Sequence, residues 1–185
     1  IAAAMAEPSA LAPSWPMTAK GRAGFTGHSS QADCVAVGAP QLMLYPHLID
    51  IAVDEKTVVL DLDWMGVRRV VHLDTTVHPA DLEPSPQGHS IGRWEGKALV
   101  IDTAGFAVHP EGIGFSLPSG VGKHLVERLS LAADGRHLDY EITAEDPEYL
   151  TGPIHATASW EYSPDLERSG AACDLESARR DLKEQ

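Results

Sequence analysis

No stretch of the chain approaches the ~18 consecutive apolar residues of a membrane-spanning helix, so no membrane partner is expected. Cations are scarce. Lys and Arg number 14 against 27 Asp and Glu, a formal charge of −13 with the nine His neutral. Neutralising phosphates or anionic lipid headgroups takes clustered cations, so neither nucleic acid nor a charged membrane surface is an expected partner. Cysteine is limited to Cys34 and Cys173. With no CxxC pair, zinc-ribbon and thioredoxin-type motifs are excluded. The two thiols either lie buried and free or form one bond across most of the chain, which needs an oxidising compartment. No GxSxG elbow is present. Gly112-Ile113-Gly114 lacks the strand–GxGxxG–helix setting of a dinucleotide site. No HxH or HExxH spacing supports a metal, although His78, His89, His124 and Asp102 could supply three or four ligands. No metal and no cofactor is expected.

What is present is an ordinary globular composition: 185 residues, 43% hydrophobic and 22% charged. That length suits one domain, which would bury roughly 70% of its unfolded surface. Residues 1–40 carry Pro8, Pro13 and Pro16 and show no period, which predicts an irregular N-terminal arm. Residues 41–185 are read as a single β-barrel domain with a short C-terminal helix over Asp174–Lys183. The first residues, Ile1 and three Ala, suggest a processed start.

A period of two begins at residue 48. Strands are expected over Leu48–Val53, Thr57–Asp63, Val67–Leu73, Ser90–Trp94, Ala98–Thr103, His124–Ala132, Arg136–Ala144 and Ile154–Tyr162. Glu95-Gly96-Lys97 and Asp134-Gly135 are hairpin signals. Residues 74–88 and 105–122, rich in Pro and Gly, read as long loops. Helices for parallel crossovers are missing. Eight strands in hairpin order therefore predict an all-β, antiparallel up-and-down barrel of lipocalin-like type, with a two-sheet sandwich as competitor.

The block His78-Pro79, Gly88-His89-Ser90-Ile91-Gly92-Arg93-Trp94-Glu95-Gly96, Leu99-Val100-Ile101-Asp102-Thr103 and Gly105-Phe106 is distinctive. It resembles an uncharacterised family of exported bacterial proteins. In that family a strand ending in paired arginines, here Arg68-Arg69, precedes a His-Pro loop. Val126-Glu127-Arg128 and Glu145-Asp146-Pro147 extend the likeness over about residues 34–180. Departures are Asp74-Thr75-Thr76 for a family Asp-Gly-Arg, Lys97 for an Asp, and Ser119-Gly120 for a His-Ser pair. The resemblance implies export to the periplasm or outside the cell, a Cys34–Cys173 disulfide and a β-rich fold. It implies no reaction.

His89, beside Gly88 at a strand start, is the first catalytic candidate, since a neutral imidazole is a ready acid–base group. His78 lies at the far end of the same loop, where a returning chain would bring both rings to one mouth. Asp102 interrupts an apolar strand. It would orient an imidazole, pair with Arg68, Arg69 or Arg93, or simply face water. Arg93 and Trp94 face opposite ways. Trp94 is expected inward as barrel floor; an inward Arg93 would bind a substrate oxyanion. Leu125, Glu127, Leu129 and Leu131 share one face, and His124, Val126, Arg128 and Ser130 the other. An inward Glu127 would be an acid of raised pKa; outward, it would belong to a Glu–Arg cross-strand pair. Arg69, Arg93, Trp94, His124 and Glu127 are the candidate substrate contacts.

Two functions fit. One is a cofactor-independent acid–base enzyme of lyase, isomerase or cyclase type, acting on a small hydrophobic or aromatic molecule in the barrel. In it His89, with His78 and Asp102, moves a proton. The other is a non-catalytic lipocalin-like binding protein, its cavity lined or closed by Trp64, Trp94, Trp160 and Phe106. The expected partner in either case is one small molecule.

Overall fold

The structure is a computed structural model that describes residues 2–3, 15–24, 30–170 and 172–180. Among the described residues eleven strands form. A two-residue β1 (Ala2–Ala3) precedes β2 (Ile49–Val53), β3 (Thr57–Leu62), β4 (Arg68–His72), β5 (His89–Glu95) and β6 (Ala98–Ala104). There follow β7 (His109–Gly114), β8 (Leu117–Ser119), β9 (His124–Leu131), β10 (His137–Glu145) and β11 (Ile154–Glu161). Short helices are α1 (Ala19–Gly24) and α2 (Leu175–Arg180). The hairpins close for local reasons. The Asp54 carboxylate accepts from the Lys56 and Thr57 amides, both at 2.7 Å. Gly96 takes a positive φ of 62° between β5 and β6, where other residues would be strained. Asp134 accepts from the Arg136 amide at 2.9 Å between β9 and β10.

The main sheet runs β1-β11-β10-β9-β6-β5-β4-β3-β2 and curls into a half-barrel. All eight strands expected from the period are present. The lipocalin-type closure is corrected: the sheet is mixed and open, because β4 and β5 pair in parallel at Val71↔Ser90 and His72↔Ile91. A parallel neighbour needs a crossover of about a dozen residues, usually helical. Here the Pro-rich segment 73–88 makes it without a helix. The segment 105–122 is not one loop but contains the β7–β8 hairpin. Its Glu111 is fully buried and accepts from the Ser116 amide at 3.0 Å and from both the amide and hydroxyl of Ser30.

The concave face carries the core. Val58, Leu60, Leu62, Val71, Leu99, Ile101, Leu125, Leu129, Tyr140, Ile142 and Trp160 alternate inward and are buried. Part of the arm fills the mouth of the half-barrel. Val37, Ala39, Leu42 and Met43 join the same core, carried partly by a 3₁₀ turn at Gln41–Leu44. Cys34 and Cys173 are bonded, which ties this segment to the C-terminal α2. Among the described residues no helix is long and apolar enough to cross a membrane.

Candidate functional site

Strand alternation puts two different polar networks on the two faces of the same strands. The inner one is built from Arg69, Ser90, Thr103, Glu127 and Tyr140. Arg69 Nη1 and Nη2 donate to the two Glu127 carboxylate oxygens at 2.8 and 2.6 Å. The Tyr140 hydroxyl donates to Glu127 at 2.7 Å, and the Thr103 hydroxyl at 3.3 Å. All five residues are buried. Burial pushes the Glu127 carboxyl up, but the guanidinium and the hydroxyl donors outweigh it, and the group is held below its ordinary value. Glu127 is thus inward, as one of the two sequence readings had it, yet it is not the raised-pKa acid expected there. Its charge is neutralised and its lone pairs are occupied. Arg69 is likewise committed to Glu127, so the pair braces the fold and is not free to hold substrate. Burial also pushes the Lys123 ammonium down, to about 7. Its Nζ donates to the carbonyls of Ala39 and Gly112 at 2.8 and 2.7 Å and sits 4.0 Å above the Phe106 ring. These residues occupy part of the interior that the barrel reading left for a ligand.

The outer face holds the imidazoles. His89 opens β5, Asp102 lies on β6 and His124 opens β9; register pairs Ile91 with Asp102 and Asp102 with Val126, so the three side chains are diagonal neighbours on one face. The crossover brings His78 down onto them. His78 Nε2 is 2.9 Å from Asp102 Oδ1, and its Nδ1 is 2.8 Å from His89 Nδ1. His124 Nε2 is 3.0 Å from the same Asp102 oxygen. His72, on β4, stacks on His89 with ring centroids 5.0 Å apart. The structure therefore gathers His78, His89, Asp102 and His124, and adds His72, which the sequence reading missed. Its signal was alternation: His72 shares the outer face of β4 with Arg68 and Val70.

The sequence also explains why this cluster can form. Gly88 has a φ of +66°, and a Cβ there would lie 2.8 Å from the Ala104 carbonyl oxygen and 2.9 Å from Thr103 Cγ2. Only glycine lets the chain enter β5 at this height beside β6. Gly92 plays the matching role across the parallel pair, since a Cβ would meet Val71 Cγ1 at 2.6 Å.

Hydrogen bonding fixes the donors. Burial raises the Asp102 carboxyl, but its bonds from His78 and His124 hold it below its ordinary value, so it is ionised at neutral pH. An ionised carboxylate only accepts. His78 then carries a proton on Nε2; with that ring neutral, its Nδ1 is a lone pair and His89 donates from Nδ1. The His89 lone pair is left on Nε2, which has no hydrogen-bond partner among the described residues. Burial, then the neighbouring His72 and His78, lower the His89 pKa, keeping this base unprotonated near neutral pH. His89 and His72 line an open cleft of about 570 Å³ between residues 65–70 and 85–90, with Val35 and Ala36 below.

Two more expected contacts, besides Arg69 and Glu127, do not join this site. Arg93 is on the outer face but pairs with Glu95 at 2.7 Å. Trp94 has the inward parity of Leu99, its register partner, but it ends the strand and is 52% exposed, so it is no barrel floor. Arg128 points outward to Glu95. Of the other aromatics, Trp160 and Phe106 are buried in the core, packed against side chains. Among the described residues no group of three or more His, Cys, Asp or Glu is arranged to hold a metal ion. No protein-family model, curated protein or solved structure matches this chain.

Proposed function

We propose that the protein is a cofactor-independent acid–base enzyme, of the lyase, isomerase or cyclase type, whose site lies where the outer imidazole cluster meets the cleft between β4 and residues 85–90. One observation carries the reading: the continuous Asp102–His78–His89 chain, with contacts of 2.9 and 2.8 Å. In this reading a small, largely apolar substrate with an acidic C–H or X–H group enters beside His89. Its proton passes to His89 Nε2. The resulting imidazolium keeps its Nδ1–H on His78, and Asp102, one ring away, stabilises the positive charge. The same Nε2–H then returns the proton at a second position or to a leaving group, restoring the neutral ring. His124 is a positioning residue that shares the Asp102 oxygen. Export to the periplasm or beyond belongs to the same proposal, supported by the disulfide and the Gly88–Gly96 resemblance.

The reading can be tested by incubation in D₂O with a panel of small aryl ketones and unsaturated acids. Deuterium incorporation is read by mass spectrometry. The wild type should accelerate exchange with at least one member, and His89→Ala should abolish this while keeping its folded spectrum. A folded His89→Ala that exchanges as fast as wild type overturns the role. Retention of a panel compound without any exchange would favour the binding-protein alternative.

A further inference from the structure

The cleft beside His89 is a gap in the sheet itself. β4 and β5 are neighbours, yet they pair only at Val71↔Ser90 and His72↔Ile91. Before that point the strands splay. The first half of β4 forms one wall of the 570 Å³ cleft and residues 85–88 form the other. Hydrogen-bond phase decides which backbone groups face the gap. Leu62 N–H donates to the Val67 carbonyl at 2.9 Å and Leu73 N–H to the Lys56 carbonyl at 2.7 Å. These bonds mark 62/67 and 56/73 as bonded positions, so Val67, Arg69, Val71 and Leu73 turn their backbone groups toward β3. Alternation turns those of Arg68 and Val70 the other way, and of these the Arg68 N–H and C=O and the Val70 N–H face the cleft, the Val70 carbonyl serving the pairing with β5. Among the described residues neither makes a backbone bond to residues 85–88. The opposite wall offers an acceptor. Gln87 is oriented by its Nε2, which donates to the Val37 carbonyl at 3.2 Å, and its Oε1 is buried with no partner. Arg69 Nε, on the β4 side, is also buried with no partner.

We infer that the cleft takes a short extended peptide, which adds as a strand to the open stretch of β4. One residue of the ligand bonds the N–H and C=O of Arg68, and the next acceptor takes the Val70 N–H. A ligand amide on the other side donates to Gln87 Oε1, the side chain turning out of its buried position to meet it. This is strand addition, in which main-chain bonds supply affinity and pockets select alternate side chains. The apolar part of the lining, Val35, Ala36, Val67 and Pro86, selects a small apolar side chain. The ligand chain then leads toward Ser90 and His89, where the sheet closes. This names the substrate class of the acid–base site and rests on that reading only for the chemistry after binding. The strand addition itself needs no imidazole.

The experiment is an amide NMR titration of the whole protein with the acetylated, amidated tripeptide Ala-Val-Ala. A second titration uses the same peptide N-methylated at its central residue. Saturable shifts are expected at Arg68, Val70, Gln87 and Gly88. The methylated peptide should bind about tenfold more weakly, the loss of one hydrogen bond. Gln87→Leu, checked for an otherwise native spectrum, should weaken binding several-fold. Saturation at these positions with equal affinity for both peptides, shifts confined to other faces, or no saturable shift would each overturn the inference. So would a folded Gln87→Leu that binds as wild type does. His89→Ala separates the two claims: it should keep the saturable shifts at Arg68 and Val70 while losing exchange. Loss of binding there would defeat the imidazole-free strand addition, while unaltered exchange with intact binding would defeat only the acid–base reading.

Discussion

Replacing Glu127 by Gln should be a damaging isosteric change. The side chain keeps its shape, but the charge opposite Arg69 is gone. Arg69 is only 2% exposed, so its guanidinium would stay in the core without a counterion. Tyr140 and Thr103 would also lose a charged acceptor. Breaking a buried pair by removing one partner costs about 3–5 kcal/mol. With a urea slope of ~2 kcal/mol per M, the midpoint should fall by roughly 1.5–2.5 M. The double variant Arg69→Met with Glu127→Leu should recover much of this, because neither residue then leaves a buried charge. The pH dependence has a fixed sign. The folded carboxyl is held below its unfolded value, so its contribution is present above the ordinary value of 4.5 and is lost as pH falls through the folded pKa. Glu127→Gln should therefore flatten the acid limb of stability against pH. A Glu127→Gln loss under about 1 kcal/mol, or a double variant no better than the single, would refute this account of the inner network.

The remaining expectations concern the outer face and the frame. His72→Ala should move the His89 midpoint up toward 6.5, because it removes both cover and a repelling ring; a ¹H titration of the C2 proton reads it, and an unchanged or lower midpoint contradicts the stacking argument. Since folding depresses His89, wild-type stability should drop slightly as pH falls through 6.5, and level off below the folded pKa. Gly92→Ala should cost about 1–3 kcal/mol by overpacking against Val71, seen as a lower melting temperature; a neutral result would mean β4 and β5 can separate freely. Cys34→Ala with Cys173→Ala releases a loop of sequence separation 139, worth about 5 kcal/mol in the chain-entropy model. A double variant as stable in urea as wild type would show that the loop stays closed without the bond.

The eight main strands were legible because each alternates over a buried face, and their ends fell at Asp and Gly turns that act locally. What stayed hidden depended on distant partners. The β7–β8 hairpin has no apolar alternation to reveal it. It is held by a buried Glu111 carboxylate whose partners include Ser30, far away in the chain. The parallel step between β4 and β5 was hidden for a similar reason, since segment 73–88 has no helical pattern to announce a crossover. The meeting of His78, His89 and Asp102 was foreseeable as a loop returning on itself, but its side of the sheet was not. Asp102 follows three apolar residues, Leu99, Val100 and Ile101, all of them buried. Both faces of that strand are covered, so alternation alone could not say which one receives a carboxylate.

That ambiguity points to how the two networks work together. His89 and Ser90 are consecutive, as are Asp102 and Thr103. In each pair the first side chain faces the imidazole cluster and the second the inner network. Ser90 and Thr103 bond each other at 2.8 Å, and Thr103 reaches Glu127. An acid–base chain needs its nitrogens held within a few tenths of an ångström, and short exposed loops hold positions poorly. Here the backbone under His89 and Asp102 is clamped from behind by a buried, fully charged pair. A loosened inner network should therefore degrade the outer geometry even in variants that stay folded. Arg69→Met with Glu127→Leu provides the case. Its stability should return toward wild type while deuterium exchange stays impaired and the NMR line widths of His78 and His89 increase. Restored stability with wild-type exchange and narrow imidazole lines would show instead that the outer cluster is held by its own four contacts alone.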